Sequence, residues 1–369
     1  MEIAIIGGGI GGLTLALALR RVGLSATVYE RARAFARVGA DINLTPNAVR
    51  ALDPLGVGEK LRETAARPKF RISRDGYTGA ETSRLPMSDA AEEQYGAPQL
   101  TLHRGDLLSV LEAAVGPDVR LGHQLESLRE QDGRQVLTFT NGEAVTADVV
   151  VGADGIHSAV REAVWGPEHP TFTGVVAYRA VVPTAKLAGA ADLDCFTKWW
   201  GNDPAIQIVT FPLTRGEEMF IFATTPRPSW TEESWTTPGR IEDLRAAYAD
   251  FHPEARALLD ACDEVLISAL HVRDPLPTWS TDAVSLLGDA CHPMMPFMAQ
   301  GAGQAIEDAV VLARALQAYA SVPEALRHYQ DARLERTARI QIGSRGNAWL
   351  REGGNADWVY AYNAWDVAV

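Results

Sequence analysis

Cysteine is scarce in this 369-residue chain: Cys195, Cys262 and Cys291 are the full complement, far apart and without CxxC spacing. That excludes a disulfide-stapled scaffold and a cysteine-built zinc module, and a reduced, cytoplasmic setting is the expectation. Lysine is also rare, with only Lys60, Lys69, Lys186 and Lys198 among 34 basic residues. The skew towards arginine reads as nucleotide-composition bias rather than function. No run of about eighteen apolar residues occurs, which argues against a spanning helix. The most apolar early stretch, residues 3–19, is broken by five glycines and preceded by Glu2, so it does not read as a secretory signal. Positive charge is in deficit overall. A formal net charge of −13 argues against nucleic acid or an anionic membrane as the main partner. An anionic small molecule would need a local cluster of cationic groups.

What the chain does have is 47% hydrophobic residues against 22% charged, enough apolar mass for one large domain or two intimate ones. It opens as strand, turn, helix, strand: residues 2–6, a helical period over 10–22 ended by Gly23, then a strand over 25–29. Turn signals follow at 43–46, 74–79 and 85–88, then a helix over 105–115. Residues 119–151 alternate as strands, with Asn141-Gly142 as a hairpin turn. More strands are expected over 172–225, a loop over 226–238, and helices near 241–248 and 253–261. A short buried strand at 284–287 precedes a helix over 304–319, and the tail over 323–350 is helical in pattern. The βα elements stand at the start, middle and end with strand-rich blocks between, so two interleaved domains are expected rather than two in tandem.

Residues 7–12 read Gly-Gly-Gly-Ile-Gly-Gly and fit GxGxxG through Gly7, Gly9 and Gly12. One glycine makes the tight turn, one admits a pyrophosphate to the backbone, and one lets helix and strand close up. The helix N-terminus then offers free N–H groups and a positive dipole end. Glu30, ending the next strand, suits the ribose hydroxyls of an adenosine and disfavours a 2′-phosphate. Two further bends share this style. Residues 147–155 are a buried strand ending in Asp154-Gly155, with Ser158 and Arg161 a helical turn beyond. Residues 284–293 are a second, ending in Gly288-Asp289 and running on through Pro296 to Gln300-Gly301-Ala302-Gly303.

In this order and spacing, the three bends resemble the class A, single-component FAD-dependent aromatic monooxygenases over essentially the whole chain. The resemblance implies an α/β fold: a Rossmann-like, GR2-type FAD-binding domain on a parallel sheet, interleaved with a β-sheet substrate domain and followed by a C-terminal helical segment. The implied division is 1–72, 101–168 and 269–320 for FAD, 73–100 and 169–268 for substrate, and 321–369 for the tail. Gly7, Gly9, Gly12 and Glu30, with Arg31 beside it, would hold the ADP half of FAD. Asp289 would serve the ribityl or pyrophosphate region, and Asp154-Gly155 both the flavin and a passing NADH or NADPH. Arg104, within residues 103–107, would contact the flavin. Gly301, Ala302 and Gly303 would set a helix end beside the pyrimidine ring. The implied chemistry is reduction of the flavin by NAD(P)H, addition of O2 to give a C4a-hydroperoxyflavin, and delivery of one oxygen to an electron-rich ring. No metal is implied.

Residues 70–79, 103–107 and 198–200 look closest to 6-hydroxynicotinate 3-monooxygenase and the salicylate-hydroxylase-like branch. The pocket departs from that pattern: Asn43, Ala205, Val209 and Phe297 stand where histidine or tyrosine is expected, and Asp41 stands where glycine is common. A hydroxy- or aminobenzoate is therefore the expected partner, with hydroxynicotinate still open. Asn43, Gln207, Val209, Pro296 and Phe297 are the candidate substrate contacts. Asn43 and His292 are the candidate catalytic residues, His292 being as well suited to bracing its loop. The chain is expected as a monomer or homodimer. Same-fold epoxidase or oxidase chemistry on a non-aromatic substrate, and a non-catalytic nucleotide-binding protein, are the competing readings.

Overall fold

The computed structural model describes residues 1–35, 41–231, 237–346 and 357–369. Its first layer is a five-stranded parallel sheet in the order Val284–Leu286, Val149–Gly152, Ile3–Ile6, Thr27–Glu30 and Val119–Leu121. Three of these, Ile3–Ile6, Val149–Gly152 and Val284–Leu286, are buried throughout. That is why they read as unbroken apolar runs rather than alternating ones. The helices Ile10–Arg21 and Gly301–Ala318 pack on each other over this sheet, their contact admitted by small residues. A Cβ on Gly11 would stand 2.5 Å from the Leu287 side chain and 3.2 Å from that of Ala305.

The second layer is an eight-stranded sheet, ordered Thr237–Gly239, Val265–Val272, Thr171–Pro183, Glu218–Pro226, Gln207–Leu213, Phe196–Trp200, Phe70–Asp75 and Glu81–Pro86. Strand alternation splits its residues cleanly. Val176, Tyr178, Ile208, Ile221 and Ile267 face the helices Ile241–Ala247 and Pro253–Asp260, which supply Leu244, Leu258 and Leu259. Ala177, Val209, Phe211, Phe220, Phe222 and Leu270 face the other way, where Met295 and Phe297 pack on them. The second face looks back towards the layer of the five-stranded sheet. A two-stranded ribbon, Ile42–Leu44 against Leu100–Leu102, joins the layers, and Thr101 donates from it to the Pro212 carbonyl at 2.7 Å.

The sheets run a few residues across the boundaries expected from sequence. Strand Phe70–Asp75 lies wholly in the large sheet, and Val265–Val272 spans 268/269. The turn signals at 43–46 and 85–88 mark strand ends followed at once by the helices Pro46–Leu52 and Ser88–Tyr95. The helix expected from 304 begins three residues earlier, at Gly301. The Asn141-Gly142 hairpin is as expected, and a second, at Asp132-Gly133, was not anticipated. Residues 232–236 of the expected loop and 347–350 of the expected helical tail fall outside the described residues. Among the described residues no helix is long and apolar enough to cross a membrane.

Helix Val322–Gly343 is fastened to Gly301–Ala318 by buried charge. Arg333, fully buried, donates to Glu307 and to Asp308 at 2.7 Å each, and Arg336 adds two bonds to Glu307 at 2.8 and 2.9 Å. Replacing Arg333 with methionine removes one cationic partner from each of two buried carboxylates, leaving Glu307 to Arg336 and Asp308 to His292, and the expected cost is about 2–4 kcal/mol. It would be read as a fall in the urea midpoint; an unchanged midpoint would contradict this role.

Candidate flavin and substrate site

Parallel strands end on the same side, so the three glycine-and-aspartate bends come out along one carboxyl edge. Backbone hydrogen bonds stitch them in a row. Gly7 N–H donates to the Tyr29 carbonyl at 2.8 Å, Ala153 N–H to Ile6 at 2.7 Å and Leu287 N–H to Gly152 at 3.0 Å. Arg161, from the helix after the Asp154-Gly155 bend, reaches the Ala290 carbonyl at 3.3 Å and so ties two bends together.

Each glycine of the first bend has a separate reason. Gly7 has φ +111°, and a Cβ there would sit 2.4 Å from the Ala153 carbonyl oxygen. On Gly12 a Cβ would be 2.0 Å from the Gly7 oxygen. Gly9 differs. Its backbone is ordinary (φ −75°), and a Cβ would meet nothing within 4 Å. Neither conformation nor packing calls for glycine at that position, at the mouth of a helix whose first turn holds no acidic residue. Space kept open for an incoming anion explains it, and a dinucleotide pyrophosphate fits.

Glu30 takes the Gly8 and Ala32 N–H groups, one on each oxygen at 2.7 Å, so it fastens the phosphate bend and keeps a lone pair on each oxygen for a ribose. Arg31 beside it is exposed. Asp154 accepts from Ser158 and from Val160 N–H, capping the next helix, while Gly155 (φ +81°) has open space around it. Asp289 is solvent-accessible on the short turn Gly288–Ala290. Burial pushes its pKa up, against the pull of His292 and Arg104. Arg104 begins the helix Arg104–Val115, which His103 caps by accepting Gly105 N–H at 3.0 Å. Gly301, Ala302 and Gly303 form the first turn of an 18-residue helix, and a Cβ on Gly301 would touch only Met294. The preceding Ala299 is held at φ +52°, a left-handed conformation that bends the chain into that turn.

The substrate candidates separate. Val209 is on the large sheet's front face, and Phe297 packs against that face, while Pro296 is exposed beside it on the turn Pro296–Met298. Asn43 is buried on the joining ribbon, its oxygen accepting from Gln99 at 2.7 Å. Gln207 shares the front face but is fully buried, and neither end of its amide has a hydrogen-bond partner. A substrate would reach it only after a shift of its neighbours.

His292 needs correction as a catalytic candidate. It is 1% exposed and held to Asp308 at 2.6 Å, and burial, which would lower its pKa, is overcome by Cys291 and Asp308 so that it stays cationic. Cys291, His292 and Asp308 lie close enough to suggest a metal seat. Asp308, however, already receives Arg333, His292 and Gly288 N–H, so the cluster acts as an ion-pair bridge.

Sequence reasoning passed over two groups. Arg179 stands on the front face, its guanidinium 5.5 Å from the Phe222 ring and donating to Ser268. Lys198 is buried there too, its ammonium 3.7 Å from the Trp200 ring centre and 5.9 Å from that of Phe297. The signal for Arg179 was present in the alternation around Ala177 and Val181. Register places Lys198, Val209, Phe222 and Arg179 in one row across four strands: an apolar floor with a cation at each end.

Gly9→Ala isolates the role of ligand. The apoprotein should melt within about 1 °C of wild type, because the methyl meets no protein atom and Ala suits a helix cap position poorly but tolerably. FAD retention should fall at least about tenfold, by flavin absorbance per chain, since the methyl occupies the pyrophosphate approach. Full retention would contradict the placement.

Comparison with known proteins agrees with this geometry. Residues 1–342 match the FAD binding domain family. The chain is 40% identical over 370 residues to 6-hydroxynicotinate 3-monooxygenase of Bordetella bronchiseptica, covering 99% of this chain and 96% of that protein. It is 38% identical over 346 residues to a 3-amino-4-hydroxybenzoate 2-monooxygenase of Streptomyces platensis, covering 93% and 87%. A solved salicylate hydroxylase–substrate complex superposes with TM-score 0.84 at 26% identity, covering 99% of this chain and 96% of that one. The chain therefore belongs to the class A FAD-dependent aromatic monooxygenases.

Proposed function

We propose that this enzyme uses NADH or NADPH and O2 to hydroxylate a small aromatic carboxylate of the hydroxy- or aminobenzoate type. The observation that carries the substrate class is the row Lys198, Val209, Phe222 and Arg179, which offers an aromatic ring an apolar floor and its carboxylate a cation. The names of the relatives, which act on hydroxynicotinate and on aminohydroxybenzoate, support the same class.

When bound, FAD supplies the hydride acceptance and oxygen activation. The chain's own residues supply placement. Gly7, Gly9, Gly12, Glu30 and Arg31 hold the adenosine and pyrophosphate end, while Asp154, Gly155, Asp289 and Arg104 line the middle. The free N–H groups of Gly301, Ala302 and Gly303 favour negative charge on the ring system. Met295, Phe297, Phe211, Phe220 and Phe222 keep the space between the layers apolar, which limits water at the reacting ring. Three cysteines, all buried and unpaired, support a reduced cytoplasmic setting.

The test is a screen of hydroxybenzoates, aminobenzoates and 6-hydroxynicotinate for accelerated NAD(P)H oxidation by the yellow protein, with mass spectrometry of products. The expected result is acceleration by a benzenoid acid and a product heavier by one oxygen. Consumption that no aromatic acid accelerates, or an imine or epoxide product, would refute the proposal.

A further inference from the structure

The ring hydroxylation proposed above is helped by a group that takes the proton of a ring hydroxyl, and the positions first considered for such a base supply none. Asn43, Val209 and Phe297 cannot act at neutral pH, and His292 is sealed against Asp308. One carboxylate is better placed. Asp41 directly precedes the strand Ile42–Leu44, and the pairing of Ile42 with Leu102 brings it out opposite His103, next to Arg104 at the start of its helix. From the other layer, Arg179 at the end of the apolar row lies close enough to act electrostatically on the same carboxylate. Asp41 therefore stands where the flavin-binding half meets the substrate floor, half-buried and within electrostatic reach of two guanidinium groups, one from each layer.

We propose that Asp41 accepts the ring-hydroxyl proton of the substrate and that Arg179 is its positioning residue. The inference rests on the aromatic-acid reading above. In this step the substrate O–H bond breaks and a carboxyl O–H forms on Asp41. The electron pair stays on the ring oxygen, where it enriches the ring towards an electrophilic oxygen.

Electrostatics support the role. Among the described residues the charged groups acting on Asp41 are Arg179 from the sheet and Arg104 from the helix, with Asp289 beyond Arg104. Burial is the strongest influence and pushes the carboxyl up to about 6, against the pull of both arginines. The reciprocal effect shows in Arg179, which burial brings down to about 10 although Asp41 opposes it. A carboxyl near 6 is ionised at neutral pH and is a closer match to a phenol than an ordinary one.

The test uses the FAD-loaded enzyme without NAD(P)H, following flavin absorbance as a hydroxybenzoate or the same acid lacking its hydroxyl is added. Wild type should bind the hydroxylated acid at least about tenfold more tightly near pH 7.5, because an ionised acceptor rewards the O–H group. The preference should fade as pH drops through about 6, where Asp41 takes up its own proton. Asp41→Asn and Asp41→Gly should each abolish both the preference and its pH dependence at unchanged flavin content. Arg179→Gln should move the pH midpoint upward, since it removes a cation that lowers the Asp41 pKa. Preference and pH dependence surviving in both Asp41 variants would overturn the inference. So would loss of flavin from both Asp41 variants, which would assign Asp41 to the cofactor. If no aromatic acid perturbs the wild-type flavin, the parent reading fails first and this one with it.

Discussion

The close contact between Gly12 and the carbonyl of Gly7 is the constraint on which the molecule depends. With only 2.0 Å available where a Cβ would be, helix Ile10–Arg21 can lie directly against the end of strand Ile3–Ile6. That contact sets the direction of the helix, and the direction aims its free N–H groups along the sheet's carboxyl edge. The second helix, Gly301–Ala318, packs on the first, and its first turns come to the same edge further along, against the Gly288–Ala290 turn. Two helix ends and three bends converge because one glycine pair lets backbone touch backbone. Bulk there would separate the layers before any ligand arrived.

The charge cluster behind the second helix complements this arrangement. Carboxylates in the second turn of a helix would offset its positive end for an anionic ligand. Glu307 and Asp308 are instead matched by Arg333, Arg336 and a cationic His292, so two buried negative charges have three positive partners. Burial would raise the Asp308 pKa, but His292 and Arg333 hold it down to about 2, so the pairing persists over the neutral range. The helix end stays positive where the flavin ring is expected, and helix Val322–Gly343 is locked to the domain by the same bonds.

Much of this was legible in the sequence because local chemistry specifies it. GxGxxG, the two later glycine-and-aspartate bends and the apolar run before each are dictated by backbone geometry and full burial, and both leave marks in residue order. The substrate floor was less legible. Its face is set by which way each strand points and by pairing between strands up to about a hundred residues apart, neither of which local composition reports. Gln207 looked like a polar pocket residue and proved to be sealed, whereas Lys198 stood out only as part of residues 198–200 and Arg179 not at all, and both proved to flank the apolar row. His292 followed a motif closely enough to suggest chemistry, but its partner Asp308 lies 16 residues on, on a helix whose packing only the fold reveals. Asp41 was visible as a departure from pattern, yet its two arginine neighbours come from different layers.

The central claim is that a single FAD runs along the carboxyl edge of the five-stranded sheet. A crystal structure of the purified yellow protein tests it most directly. The account predicts one FAD per chain, with the adenosine ribose at Glu30, the pyrophosphate over Gly9 and the isoalloxazine beside Gly301, Ala302 and Gly303. Flavin density away from that edge, or a refined chain whose three bends do not share it, would contradict the account.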